Sequence, residues 1–142
     1  MTVSPMFKKL NLNDQTEIVV MNAPESFEPE LVRLTPVSVL RDPAEVKRID
    51  FAIAFATTSG ELDRASKALT DKADEDPTLW IAYPKKSSKR YTCEFNRDSG
   101  WDVLRAAGFD SVRMVAIDED WSALRFRRKR YIKTATPNTQ RT

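Results

Sequence analysis

Histidine is absent from the 142 residues, and cysteine occurs once, as Cys93. Those two facts remove Ser-His-Asp and Cys-His catalysis, imidazole zinc sites, cysteine-rich metal clusters and any disulfide within the chain. Ammonium, hydroxyl and carboxylate groups remain, and they are bunched. The segment Tyr83-Pro84-Lys85-Lys86-Ser87-Ser88-Lys89 sets three lysines beside two hydroxyls, and Asn96 and Arg97 follow before the next helix. Fixed positive charge with hydroxyl and amide donors suits a phosphate or carboxylate. A helix N-terminus behind Arg97 adds N–H donors of the same polarity. Against this, lysine-bearing polar loops are ordinary solvated surface. A capping carboxylate at Asp98 also opposes an anion there, or pairs with Arg97 instead.

A second basic run holds Arg125, Arg127, Arg128, Lys129 and Arg130, interleaved with Phe126 and Tyr131. Such a run could grip nucleic-acid phosphates, although no RNA-binding signature accompanies it. It serves equally as an edge strand blunted by charge. The net charge of +2 is too small to imply nucleic acid by itself. Asp118-Glu119-Asp120 could meet a hard cation but lacks the spacing of a calcium loop. Cys93 lies near Arg90 and Tyr91, which would lower its pKa somewhat; without a histidine base it is no nucleophile.

The elements that must hold these groups alternate. Ser4-Pro5 opens a short helix to Leu10, stopped by Asn11, Asn13 and Asp14. The β-branched run 16–21 is a buried strand closed by Asn22-Ala23-Pro24, and Ser26 caps a helix burying Phe27, Leu31 and Leu34. Pro36 ends that helix before a short strand over 37–40, and Asp42-Pro43-Ala44-Glu45 reads as a capped turn. Residues 49–56 (IDFAIAFA) form a third strand. Leu62, Ala65, Leu69 and Ala73 then repeat at helical spacing. A polar connection over 74–77 leads to a fourth strand over 78–83. A helix buries Trp101, Leu104 and Ala107 and closes at Gly108. Strands over 112–117 and 122–126 share so short a turn that they must be antiparallel.

This order predicts an α/β fold. It is a three-layer Rossmann-like sandwich, its mostly parallel sheet of about six strands ending in an antiparallel hairpin. Residues 1–132 form a single domain, and the apolar-poor tail 133–142 is expected to be mobile. Trp80 and Trp101 belong to the core, whereas Trp121, beside the acidic turn, is the tryptophan expected to be partly exposed. The chain has no apolar run near the roughly 18 residues that span a membrane and no signal-peptide segment, which predicts a cytoplasmic protein.

The helix followed by AGFDSVRMVAI and WSALRFRRK resembles the C-terminal end of class I S-adenosylmethionine-dependent methyltransferases. IDFAIAF and TLWIAYP resemble two of their central strands. The combination of MNAPESFEPEL, LWIAYPKKSSKRY, NRDSGWDVL and AGFDSVRMVAIDEDWSALRFRR is similar, near full length, to a bacterial family of small proteins known only as a domain of unknown function. The methyltransferase resemblance implies a glycine-rich turn after the first strand and an acidic residue after the second to hold the ribose. Asp42 could be that residue. Asn22 to Ser26 contain no glycine, and Pro24 removes an N–H donor there.

The missing glycines lead to a first expectation of a non-catalytic domain without a cofactor. It would bind a protein partner or small anionic ligand through Tyr83, Lys85, Lys86, Ser87, Ser88, Lys89, Asn96 and Arg97. The first alternative is a divergent methyltransferase with Asn22, Asp42 and Thr57 lining the cofactor pocket. The second is a nucleic-acid accessory protein using Arg125 to Arg130.

Overall fold

In the computed structural model, residues 5–13, 15–34, 36–96 and 100–132 are described. Expectations for Ser4, Asp14, Arg97, Asp98, Ser99 and the tail 133–142 lie outside them. The chain runs α1 (Pro5–Lys9), β1 (Glu17–Met21), α2 (Glu28–Val32), β2 (Ser38–Leu40), β3 (Ile49–Phe55), α3 (Ser59–Lys72), β4 (Ala73–Pro84), α4 (Asp102–Ala106), β5 (Phe109–Ala116) and β6 (Trp121–Arg128). Single 3-10 turns precede α2 and β3 and follow β6.

The six strands form one sheet in the order β2-β1-β3-β4-β6-β5. The first four are parallel; β6 pairs antiparallel with both β4 and β5. The mixed α/β sandwich read from the sequence is therefore the observed fold. Chain order reverses between β1 and β3, and in open α/β sheets that reversal leaves a crevice beyond the carboxyl ends of the strands.

Strand alternation sorts side chains by size. In β3, Phe51, Ile53 and Phe55 face α1 and α2, joining Phe7, Leu10, Phe27, Leu31 and Trp80. Ala52, Ala54 and Ala56 face the other way, beneath Leu62, Ala65 and Leu69 of α3. The alanines leave room for the helix, and the aromatic face fills a layer that short helices cover only partly. Trp80, fully buried, donates its indole N–H to the Leu10 carbonyl at 2.8 Å, tying the end of α1 to the sheet centre.

Local chemistry explains most boundaries. Thr58 caps α3 through a reciprocal capping box with Glu61. Asp42 caps its turn through the Ala44 amide at 2.9 Å. Gly108 ends α4 at φ +91°, as a glycine past a helix end should. Four expectations fail. Ala107, read as buried, is exposed, because α4 ends at Ala106 and Ala107 lies in its closing turn. Ser26 caps nothing, because a 3-10 turn starting at Glu25 precedes α2 and is flanked by Pro24. The strand after α3 starts at Ala73, taking in the polar residues 74–77 through a bulge against β3. Trp121 is 3% exposed rather than partly open, since Phe55 and Tyr91 close over it at ring distances of 5.2 and 4.9 Å.

Candidate functional site

Two clefts open at the carboxyl edge of the parallel strands. The first, about 570 Å³, lies beyond β1 and β2 and is walled by α3. Its residues include Met21, Asn22, Asp42, Glu61, Arg64 and Ala65. Asn22 is the key to its shape. It follows the last residue of β1 and holds φ at +58°, in the left-handed region that glycine adopts freely and asparagine tolerates best among other residues. The turn thus has, through Asn22, the left-handed conformation for which a glycine was expected. Opposite, Asp42 stands two residues beyond β2; Oδ1 accepts the Ala44 N–H, and Oδ2 has no partner among the described residues.

The β3–α3 loop is locked rather than open. Glu61 Oε1 accepts the Thr57 N–H at 2.9 Å, the Thr57 hydroxyl at 3.0 Å and the Thr58 N–H at 3.2 Å. These bonds, the Thr57 amide foremost, hold the Glu61 carboxyl below its ordinary pKa against the opposing effect of burial. Thr57 was expected to line a cofactor pocket; its hydroxyl is bonded to Glu61. Glu94 joins this loop to the one after β4: its N–H donates to the Thr57 carbonyl and its Oε1 accepts the Ser59 N–H, both at 2.9 Å. The N-terminus of α3 is thereby occupied by two carboxylates of the chain itself.

The second cleft, about 650 Å³, lies beyond β4. Tyr83, Lys85, Lys86, Ser88 and Asn96 of the sequence-read site line it, with Tyr91, Cys93, Glu94, Phe95 and Met114. Ser87 and Lys89 are exposed outside that lining, and Arg97 is outside the described residues. Ser88 is committed to the loop: its hydroxyl donates to Asp120 Oδ1 at 2.9 Å and accepts the Arg90 and Tyr91 amides. Lys85 N–H donates to the Asp120 carbonyl at 2.8 Å, so the acidic turn acts as an anchor for this loop. Among the described residues no cluster of metal-ligating side chains forms. Burial pushes the Cys93 thiol above its ordinary pKa, opposite to the expected lowering, because desolvation outweighs everything around it.

The second basic run is dispersed. Arg127 makes a bidentate pair with Asp76 at 3.0 and 2.7 Å. Arg128 donates to the carbonyls of Ala73, Asp74 and Glu75 and lies over the Phe109 ring. Arg130 stacks on Tyr131. Sequence order had grouped this run; strand alternation and the closing turn leave Arg125 and Arg127 on one side of β6 and send Arg128 and Arg130 elsewhere.

No protein-family model matches the chain, and no curated protein matches it. Solved structures do. A magnesium protoporphyrin IX methyltransferase from Synechocystis PCC 6803 with bound SAH aligns over 87% of this chain and 78% of its own, at 12% identity and a TM-score of 0.56. A SAM-dependent methyltransferase from Aquifex aeolicus aligns over 85% and 86%, at 13% identity and 0.56. The fibrillarin pre-rRNA processing protein of Methanococcus jannaschii aligns over 90% and 70%, at 12% identity and 0.53. The fold is Rossmann-like and similar to that of these methyltransferases. The match to many such enzymes over most of the chain overturns the first expectation of a non-catalytic binding domain and favours the methyltransferase alternative. No helix among the described residues is long and apolar enough to cross a membrane.

Proposed function

We propose that this protein is a divergent S-adenosylmethionine-dependent methyltransferase, with its cofactor in the first cleft and its acceptor in the second. The observation that carries this reading is the left-handed Asn22 at the carboxyl end of β1, sharing one cleft with Asp42 beyond β2. The cofactor fits the donors present. Asp42 keeps one carboxylate oxygen for ribose hydroxyls, and Met21 and Ala65 supply apolar wall. The carboxylates of Asp42 and Glu61 suit a ligand bearing ammonium and sulfonium charge. When bound, that group supplies an electrophilic methyl on sulfur.

Glu61 and Glu94 clamp the loops after β3 and β4 at fixed separation, which keeps the two clefts in register. Tyr83, Tyr91 and Phe95 give the second cleft aromatic walls, and Lys85 and Lys86 set positive charge at its edge. An acceptor with a planar apolar body and an anionic group matches that lining.

Calorimetric titration with S-adenosylmethionine and S-adenosylhomocysteine tests the reading. The wild-type chain should bind both. Asp42→Ala should weaken both roughly tenfold or more, the worth of a charge-assisted hydrogen-bond pair. Failure of the wild-type chain to bind either compound overturns the proposal.

A further inference from the structure

Away from both clefts, three guanidinium groups meet on the sheet face that carries Trp80. Arg113 of β5 and Arg125 of β6 are direct cross-strand partners, and Arg127 follows on the same side of β6. Together with Ser111, Val112 and Ile132 they line a depression of about 460 Å³. It lies near the amino end of β4, since Arg125 pairs with Trp80 and Arg127 reaches Asp76. The Tyr83 end of that strand, with its cleft, is at the opposite edge.

The charge here is compensated only in part, at Arg127. Asp76 is engaged by Arg127 through both oxygens. Asp110, which pairs with Arg127 in the ladder, lies instead 3.7 Å from Arg105. Arg113 and Arg125 form no ion pair among the described residues. Arg125 is half-buried, and its Nε–H is shielded from solvent with no acceptor among the described residues. A buried donor left unmade costs roughly 1–3 kcal/mol, more for a charged group. Burial first, and then the neighbouring Arg127, holds the Arg125 pKa below its ordinary value. Like-charged arginines on adjacent strands are unfavourable unless something negative sits between them.

We infer that Arg113, Arg125 and Arg127 form a binding site for a phosphate dianion, either inorganic phosphate or the terminal phosphate of a small metabolite. Arginine forks match the oxygens of a tetrahedral phosphate in pairs, and the Arg125 Nε–H gains the acceptor it lacks. The three cations share one small depression instead of following a line. That arrangement suits a compact, doubly charged group over a nucleic-acid backbone, whose single charges are spaced along a track.

The test is a titration of the full chain with sodium phosphate at constant ionic strength, followed by the side-chain Nε–Hε resonances of the arginines. The Arg125 resonance should shift and saturate with phosphate and stay still with chloride. Arg113→Gln, on an exposed edge-strand position, should weaken the response about tenfold. Lys67→Ala, exposed on α3 against the other face of the sheet, should leave it unchanged. Glycerol phosphate and a short single-stranded oligonucleotide identify the source: the ester should match inorganic phosphate, and the oligonucleotide should be weaker at equal phosphate. No saturable shift, an equal response in Arg113→Gln, or tighter binding of the oligonucleotide would each overturn the inference. Adenosylmethionine plays no part in this readout, so it stands or falls apart from the methyltransferase reading.

Discussion

The two clefts at the carboxyl edge share a sheet and a pair of clamping loops, yet they are made of opposite materials. The first, beyond β1 and β2, sets Asp42, Glu61 and Asp71 against Arg64 and Lys72, and Lys72 spends its ammonium on the carbonyls of Pro43 and Val46 at 2.8 Å. The second, beyond β4, sets Lys85 and Lys86 against Glu94, whose Oε1 is taken by the Ser59 amide. One mouth favours a cation and the other an anion. Separate mouths of opposite charge on one edge suit the two dissimilar substrates that the proposed transfer reaction would bring together.

The hardest blow to this comparison is Trp101→Ala. Trp101 is 1% exposed, packs on Phe126, Phe95 and Tyr83 at ring distances of 5.1 to 5.7 Å, and donates its indole N–H to the Asn96 carbonyl at 2.9 Å. Truncation should cost about 3–5 kcal/mol by urea denaturation and loosen the wall of the second cleft. Adenosyl binding per folded molecule should survive, because the first cleft uses none of these contacts. Equal loss of both would merge the clefts into one site.

Asn22 comes next. A β-branched residue cannot hold its left-handed turn without strain of roughly 1–2 kcal/mol, so Asn22→Val should lose that much stability and all measurable adenosyl binding. Asn22→Gly should be close to neutral in stability and retain binding. A valine variant that melts and binds like the wild type would remove the first cleft from the mechanism.

The clefts should also fail at opposite ends of the pH scale. Glu61 has a folded pKa below its ordinary value, so its contribution is present above the unfolded value and is lost as pH falls through the folded one. Cys93 has a folded pKa above its ordinary value, so the neutral thiol's contribution is complete below the unfolded value and is lost as pH rises through the folded one. Thermal midpoints should therefore fall less steeply on the acid side in Glu61→Gln and less steeply on the alkaline side in Cys93→Ala. Unaltered slopes in both variants would contradict these assignments.

How much of this was legible in the chain depends on how local the cause is. Strands β1, β3 and most of β4 declare themselves as apolar runs, and α3 through its spacing. The carboxyl-edge rule then points to loops that border the two clefts. What stayed hidden depends on partners far away in sequence. Trp121 is covered by Phe55 and Tyr91, which no window around it contains. The lysine loop is shaped by Asp120, and the basic run is split by Asp76 and by carbonyls at the start of β4. Arg113 joins Arg125 only through the ladder. Asn22 is the instructive exception: its signal is local, because asparagine after a strand tolerates positive φ, but a search for glycine passes over it.

The smallest stability effect should come from the second cleft's own charges, and it decides what that cleft is for. Lys86 is exposed, and the bond Lys85 gives to the Asp120 carbonyl comes from its main chain, which alanine preserves. Lys85→Ala with Lys86→Ala should therefore shift unfolding by less than about 0.5 kcal/mol per site. Adenosyl binding should stay at its wild-type value, since the cofactor cleft contains neither residue. What should fall is transfer of labelled methyl to an anionic acceptor, through KM rather than kcat if the lysines only hold the acceptor's charge. A matched loss of cofactor affinity would show the two mouths to be one continuous site, whereas unchanged transfer to every anionic acceptor tried would leave the cleft's positive edge without a role in the reaction.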